Sequence, residues 1–466
     1  MDNKQPKKMD LGSAVLIFTA ILLIVIVGRL VFKFDVALLL MFCGMFTTVI
    51  YTFCFRYRWD DLFNKGVIPM IAKASGAIMI LLTVGPLIAV WMLSGTIPYL
   101  VHLGLNLLNP AIFLAATFII CSVSSVLTGT SWGTAATFGV ALIGVAQGLG
   151  VPLPFAAGAI ITGAYFGDKI SPISDTTILA AAVTKVEVVD HIRSTLWTTV
   201  PAFVISIVLY SLMGLRFSGE VDMAQITIIL DAIGKTFNLT PLTLIPPLVV
   251  LLLSYRRCPT LPVLWIAIVV SIPLAMMQGY DIADIFKAMA AGPTISTGVG
   301  VIDTLLSRGG LASMTASTVV VFFAYLFAGQ LEYTGTFKTI CTALQEKFIG
   351  RSRGRLVLST SLTGILTGLG TGNSYLSQIV PGTMYGNLFD EMNVSRRVLS
   401  RTLEDSGTVI VPLIPWSAAG IYMSTVLGVQ VLEYLPWAFL CYLGFVNAWI
   451  YGFTGIAIWP SDEKKE

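Results

Sequence analysis

Eleven consecutive residues, Gly167-Asp168-Lys169-Ile170-Ser171-Pro172-Ile173-Ser174-Asp175-Thr176-Thr177, place two carboxylates, one ammonium and four hydroxyls between two apolar stretches. Pro172 removes a backbone donor and stops a helix arriving from the N-terminal side. Ser174 or Asp175 is placed to cap a helix leaving on the other side. The unwound backbone between them keeps free carbonyls. Carboxylate, hydroxyl and carbonyl oxygens are the hard ligands that a small cation such as Na⁺ takes, by extension from calcium and magnesium chemistry. Asp168, Ser171, Ser174, Asp175 and Thr176 are therefore candidate cation- or proton-binding residues. The plainer reading is a solvated loop, with Asp168 and Lys169 paired in water and Asp175 a simple cap. No run of ordinary loop length separates the two apolar halves, which argues against it.

A second acidic cluster, Arg401-Thr402-Leu403-Glu404-Asp405-Ser406-Gly407-Thr408, precedes Pro412 and Pro415 in another apolar run. It adds Glu404, Asp405 and Thr408 to the candidates. One of the two acids is available to pair with Arg401, and Asp405 is expected to face a cavity by its match to Asp168. Sodium would then lie among Asp168, Asp175 and Asp405. Two glycine-rich reversals, Thr128-Gly-Thr-Ser-Trp-Gly-Thr134 and Thr367-Gly-Leu-Gly-Thr-Gly-Asn-Ser374, permit tight turns. They offer Thr130, Ser131, Thr134, Thr371, Asn373 and Ser374 as neutral ligands to a cation or substrate. The glycine pairs 129/133 and 368/372 equally suit close helix packing. Gly129-Thr-Ser131-Trp-Gly133 also fits the G-x-S-x-G pattern of a hydrolase nucleophile, but it lacks the strand–turn–helix setting that chemistry needs. The only histidines, His102 and His191, lie elsewhere, and His191 reads as a surface residue beside Asp190 and Arg193. No enzymatic activity is read from the sequence.

The elements holding these residues must cross a membrane. Of 466 residues 56% are hydrophobic and 11% charged, against about 25% charged in an average soluble domain. Mean hydropathy is +0.86, more than one soluble core can hide. A net charge of +3 leaves no basic surface for nucleic acid. Six scattered cysteines form no CxxC pair, and no cofactor is implied. Apolar runs near 13–31, 36–55, 76–94, 195–214, 240–254, 261–277, 312–330 and 433–457 predict full spans. Broken helices over 155–184 and 397–428 bring the total to about ten, and the runs at 110–149 and 356–389 predict two re-entrant hairpins. Breaks in lipid must be buried in protein or line a wet cavity.

Basic residues set the expected orientation. Lys4, Lys7, Lys8, Arg56, Arg58, Lys65, Lys185, Arg193, Arg256, Arg257, Lys338, Lys347, Arg351, Arg353, Arg355, Lys464 and Lys465 mark cytoplasmic segments, so both termini are expected inside a cell membrane. The expected division is a tail over 1–12, scaffold helices over 13–94, a first repeat over 95–193, connecting helices over 194–311, a second repeat over 312–428, and a last helix and tail over 429–466.

The two interrupted regions match in order. Ser94-Gly95-Thr96 answers to Thr334-Gly335-Thr336, Thr128-Gly129 to Thr367-Gly368, Gly133 to Gly372, and Gly167-Asp168 to Glu404-Asp405. Charge has the first unit entering from outside and the second from inside. An all-α, inverted-repeat chain with paired hairpins and broken helices is the pattern of a secondary transporter with its site near the bilayer midplane. A channel fits less well, because a duplicated occluded site implies coupled stoichiometry.

At "TGTSWGTAATFGVALIGVAQGLGVPLPFAAGAIITGAYFGDKISPISDTTILAAA" and "LEDSGTVIVPLIPW" the sequence resembles the NhaC-type sodium/proton antiporter family, which includes sodium-coupled malate/lactate exchangers. The resemblance implies exchange of Na⁺ for H⁺, or for H⁺ with a small organic acid. It implies Asp168, Ser171, Asp175 and Asp405 as cation ligands, completed by the hairpin tips. After "PLIPW" the family often continues with Asn, Thr and Cys, where this chain has Ser417-Ala418-Ala419. The change removes an amide near the second break and leaves the organic substrate open, a carboxylate or an amino acid. Whether the chain forms a homodimer is equally open.

Overall fold

The computed structural model describes residues 6–217, 223–348 and 352–461. Lys4, Arg351, Lys464 and Lys465 of the charge argument lie outside them. The described residues are helical, with no strand among them. Seven of these helices are long and apolar enough to cross a membrane, and ten spans result if each sharply bent pair counts as one. Side chains such as Leu16, Leu30, Val31, Phe53, Leu212 and Val269, each more than half exposed, cover the outside of the bundle. That is the expected surface of a protein whose solvent is lipid.

Four amphipathic helices join the spans where sequence reading saw only connections: Thr96–Leu107, Met223–Thr236, Ile282–Ala291 and Thr336–Phe348. Met223–Thr236 lies on a sharply turned corner, where the helix bends 96° into Pro241–Tyr255. Prolines at 241, 246 and 247 cannot donate to a continuing helix there.

Two hairpins and two broken helices form the centre. The first hairpin joins Pro110–Thr128 to residues 131–148. The first broken helix runs Leu153–Ile170, opens at Ser171–Ser174, and resumes as Asp175–Thr184. The second hairpin joins Arg353–Thr371 to Ser374–Glu391, and the second broken helix bends 50° between Arg396–Leu413 and Ala418–Leu427. Glycine sets the closest approach. A Cβ on Gly167 would come within 2.4 Å of Ser125 Cβ and the Val126 amide, and one on Gly163 within 2.5 Å of the Phe118 carbonyl. The broken helix thus lies backbone-to-backbone on the hairpin arm.

The internal match is clearer in the backbone than in the sequence. Gly95 (φ 76°) and Gly335 (φ 73°) both follow long helices, and the hydroxyls on either side, Ser94–Thr96 and Thr334–Thr336, are hydrogen-bonded at 2.9 Å in each case. The hairpin register differs from the expected one by four residues. Gly129 (φ 66°) ends the first arm and Gly372 (φ 62°) the second, so Thr128-Gly129-Thr130-Ser131 corresponds to Thr371-Gly372-Asn373-Ser374. The left-handed helix end selects Gly372, whereas Gly368 remains inside the arm. Thr130 and Asn373 then cap the returning arms, Thr130 accepting from the Gly133 amide and Asn373 from the amides of Tyr375 and Leu376. The broken helices also align on their caps: Ser174 with Ser417, and Pro172 with Pro415. On that register the counterpart of Asp168 is Val411, and Asp405 lies six residues farther from the break.

Candidate functional site

Both hairpin tips lie against the breaks. A Cβ on Gly129 would meet Ile173 at 2.6 Å, and one on Gly372 would meet Ser417 Cα at 3.1 Å. Between them is a cavity of about 710 Å³. Asp168 lies at its inner wall, 5% exposed. Both its carboxylate oxygens are engaged: Ser131 of the first tip donates at 2.7 Å and Ser174 of the break at 2.6 Å. Thr177 donates to the Asp168 backbone carbonyl at 3.0 Å, tying the two halves together across the break. Asp175 opens the second half-helix, is exposed to the cavity, and accepts from the Tyr375 hydroxyl of the second tip. Thr176 faces the same space and shares a 3.0 Å hydrogen bond with Ser174.

Of the residues chosen from sequence, Thr130, Ser131, Asp168, Asp175, Thr176, Asn373, Ser374 and Thr408 line the cavity. Ser174 reaches it through Asp168. Ser171 turns instead to the Val126 carbonyl at 2.8 Å, binding the break to the hairpin arm. Thr134 and Thr371 are buried in their own arms; Thr371 bonds back to the Thr367 carbonyl at 2.7 Å, and Thr134 faces Thr128 at 3.3 Å.

Asp405 lies behind the cavity, not on it. It is fully buried, ion-paired with the equally buried Lys169, and also accepts from Thr198 at 3.1 Å. Glu404, likewise fully buried, accepts from Gln378 at 3.0 Å, and the same amide donates to Thr408. Arg401 pairs with neither acid. Its guanidinium lies 5.9 Å and 5.7 Å from the ring centroids of Tyr451 and Trp459, and its three nitrogens have no hydrogen-bond partner. Asp190 pairs with Arg397 at 3.2 Å and Arg193 at 3.7 Å, while His191 is fully buried, contrary to its expected surface position.

Sequence reading missed Lys169, Tyr375, Gln378 and Thr198, and also Tyr325, which lines the cavity. Lys169 carried a usable signal. A cation inside an apolar segment needs a buried anion, and two acids at 404 and 405 exceed what Arg401 alone would match. Among the described residues no three His, Cys, Asp or Glu side chains form a metal cluster. Asp168 and Asp175 with the hydroxyls of Ser131, Thr176 and Ser374 place hard oxygen donors on the cavity wall, the donor type that small hard cations take.

Interrupted helices whose breaks and hairpin tips surround a buried carboxylate, in a chain of apolar spans, define a secondary transporter. The family model described as the Na⁺/H⁺ antiporter family matches residues 7–193 and 163–456, and the chain belongs to that family. It is 38% identical over 450 residues to the malate-2H⁺/Na⁺-lactate antiporter of Bacillus subtilis (strain 168), covering 95% of this chain and 96% of that one. It is 38% identical over 454 residues to the Na⁺/H⁺ antiporter NhaC of Alkalihalophilus pseudofirmus, with 97% of each covered. The arginine/ornithine antiporter ArcD of Halobacterium salinarum is 35% identical over 466 residues, covering 98% of this chain and 95% of that one.

Proposed function

We propose that this chain exchanges Na⁺ for H⁺ across the cell membrane, with Asp168 as the carboxylate that the two ions share. The observation carrying this reading is Asp168 itself, buried at the interruption of a helix and held by Ser131 and Ser174 at the wall of a cavity. An ionised carboxylate at the bilayer centre costs at least about 2.5–3.5 kcal/mol. A proton or a cation each removes that charge, and one carboxylate accommodates one of them at a time. Exchange follows without separate machinery. Asp175 and Thr176 complete the cation's oxygen ligands, and Thr408, Asn373 and Ser374 approach from the second repeat. Asp405 belongs to the frame that holds the first broken helix against the second.

Both termini are read as cytoplasmic, with the two repeats inverted relative to one another. Arg257 lines the cavity and belongs to a segment read as cytoplasmic, so we read this conformation as the inward-open one. The test is flux in proteoliposomes with pH and potential clamped. Native protein should move protons in response to Na⁺, and Asp168→Asn should not. Normal flux in a folded Asp168→Asn protein would remove Asp168 from the mechanism.

A second reading has an organic solute travelling with or against the ions. The cavity supports it, since about 710 Å³ is within the range of small-molecule sites and far more than a bare ion fills. Arg257 on the cavity wall would draw in a carboxylate, Lys73 being paired with Glu332 at 3.0 Å, as suits the relative named for malate and lactate. Sodium-dependent uptake of labelled dicarboxylates, monocarboxylates and amino acids separates the readings.

A further inference from the structure

We infer that a second crevice, separate from the carboxylate cavity, binds one anionic phospholipid. It measures about 350 Å³ and lies between the first helix, the helix Leu311–Tyr333 and the second break. Val25, Ile26, Leu30, Val320 and Ile421 make its walls, and Pro415 and Trp416 lie along it. Ile26 and Leu30 are 47% and 61% exposed, so the crevice opens sideways, toward lipid. An acyl chain can enter there without crossing water.

Its polar end is Arg29, in the last turn of Leu11–Leu30. The guanidinium lies where the apolar helix ends, the depth at which a basic side chain reaches headgroups. One nitrogen donates to the Phe34 carbonyl at 3.2 Å and another to the Gln430 side chain. Among the described residues no carboxylate lies within ion-pair distance of it. A phosphodiester accepts the remaining donors in the forked geometry that guanidinium favours. A soluble anion would have no use for the apolar walls, and an uncharged lipid none for Arg29. Their juxtaposition selects a ligand with both parts. The chain would press on Trp416, whose indole N–H donates to the Leu369 carbonyl of the second hairpin at 2.7 Å. Lipid composition would therefore act directly on the second break.

The test is native mass spectrometry of the full-length protein, delipidated in detergent and titrated with phosphatidylglycerol or phosphatidylethanolamine of equal chain length. Native protein should retain one phosphatidylglycerol in preference to phosphatidylethanolamine. Arg29→Gln should lower that preference about fivefold, the effect of one basic side chain at an anionic lipid surface. Val320→Trp, which fills the crevice, should lose the retained lipid while eluting as native protein. Ser424→Phe is the alternative filler if that variant misfolds. Equal retention of the two lipids, an unchanged preference in Arg29→Gln, or full lipid stoichiometry in a filled crevice would each overturn the assignment. So would displacement by glycerophosphoglycerol, which would make the site one for soluble anions, or a dimer that covers the crevice and excludes lipid.

Discussion

Asp405→Asn removes half of a charge pair that has no contact with water. Lys169 and Asp405 are both fully buried, and 236 positions of sequence separate them. Loss of one member of such a pair leaves the other charged and unmatched, which costs about 3–5 kcal/mol. Thr198 keeps an acceptor in the asparagine oxygen, so its hydrogen bond contributes little to the loss. The double variant Lys169→Met with Asp405→Leu removes both charges and should recover most of the stability, because apolar replacement of a whole buried pair is often neutral or better. Equilibrium unfolding by steric trapping in micelles measures all three proteins. Asp168→Asn is the contrast. Its amide still accepts from one serine and donates to the other, so its destabilisation should stay near 1 kcal/mol. An Asp405→Asn protein as stable as the native one, yet inactive, would refute the framework role and place Asp405 on the ion path. A double variant no better than Asp405→Asn would show that burial of the pair is not what governs stability there.

Tyr375→Phe frees the Asp175 oxygen that the hydroxyl now occupies. It should lower the apparent KM for Na⁺ by up to about tenfold, the low end for a hydrogen bond to a charged group at a half-exposed site; a raised KM would mean that the hydroxyl orients Asp175 for the ion. Gly167→Ala forces a methyl to within 2.4 Å of the Ser125 and Val126 backbone region. It should cost about 1–3 kcal/mol by overpacking and impair flux by shifting Asp168, both measurable on purified protein. Gly386→Ala, with open space around it, should be neutral or add about 0.5–1 kcal/mol of helix stability. Cys258 lines the cavity, so on the proposed inward-open reading an impermeant maleimide should modify it in inverted vesicles. A cargo that closes the inward-open form should slow that labelling, and a rate indifferent to every ion and acid tested would count against alternating access.

The breaks were legible because few residue types make them. Pro172, Ser174 and Asp175 within an apolar run leave little else for the chain to do, and Ser131 and Thr130 were recognisable as a tip. The register of the second tip was not, since Thr367-Gly-Leu-Gly-Thr-Gly offers more than one Thr-Gly pair and only the left-handed backbone at Gly372 distinguishes them. That slip, together with the choice of Glu404-Asp405 as the answer to Gly167-Asp168, brought Asp405 into a cavity it does not face. Pairings such as Lys169 with Asp405 or Tyr375 with Asp175 join positions 200 or more apart, and nothing in local periodicity encodes them. The amphipathic connectors escaped because a search for continuous apolar runs passes over helices that bury only one face.

The two halves of the chain also grip each other's working ends. Tyr422, on the second broken helix, donates to the Trp132 carbonyl at the first tip at 2.8 Å, and their rings stack at 4.2 Å. Tyr375 reaches across in the opposite sense, and Lys169 with Asp405 clamps the middle. Displacing either tip therefore means breaking contacts with the opposite half of the chain as well as with its own.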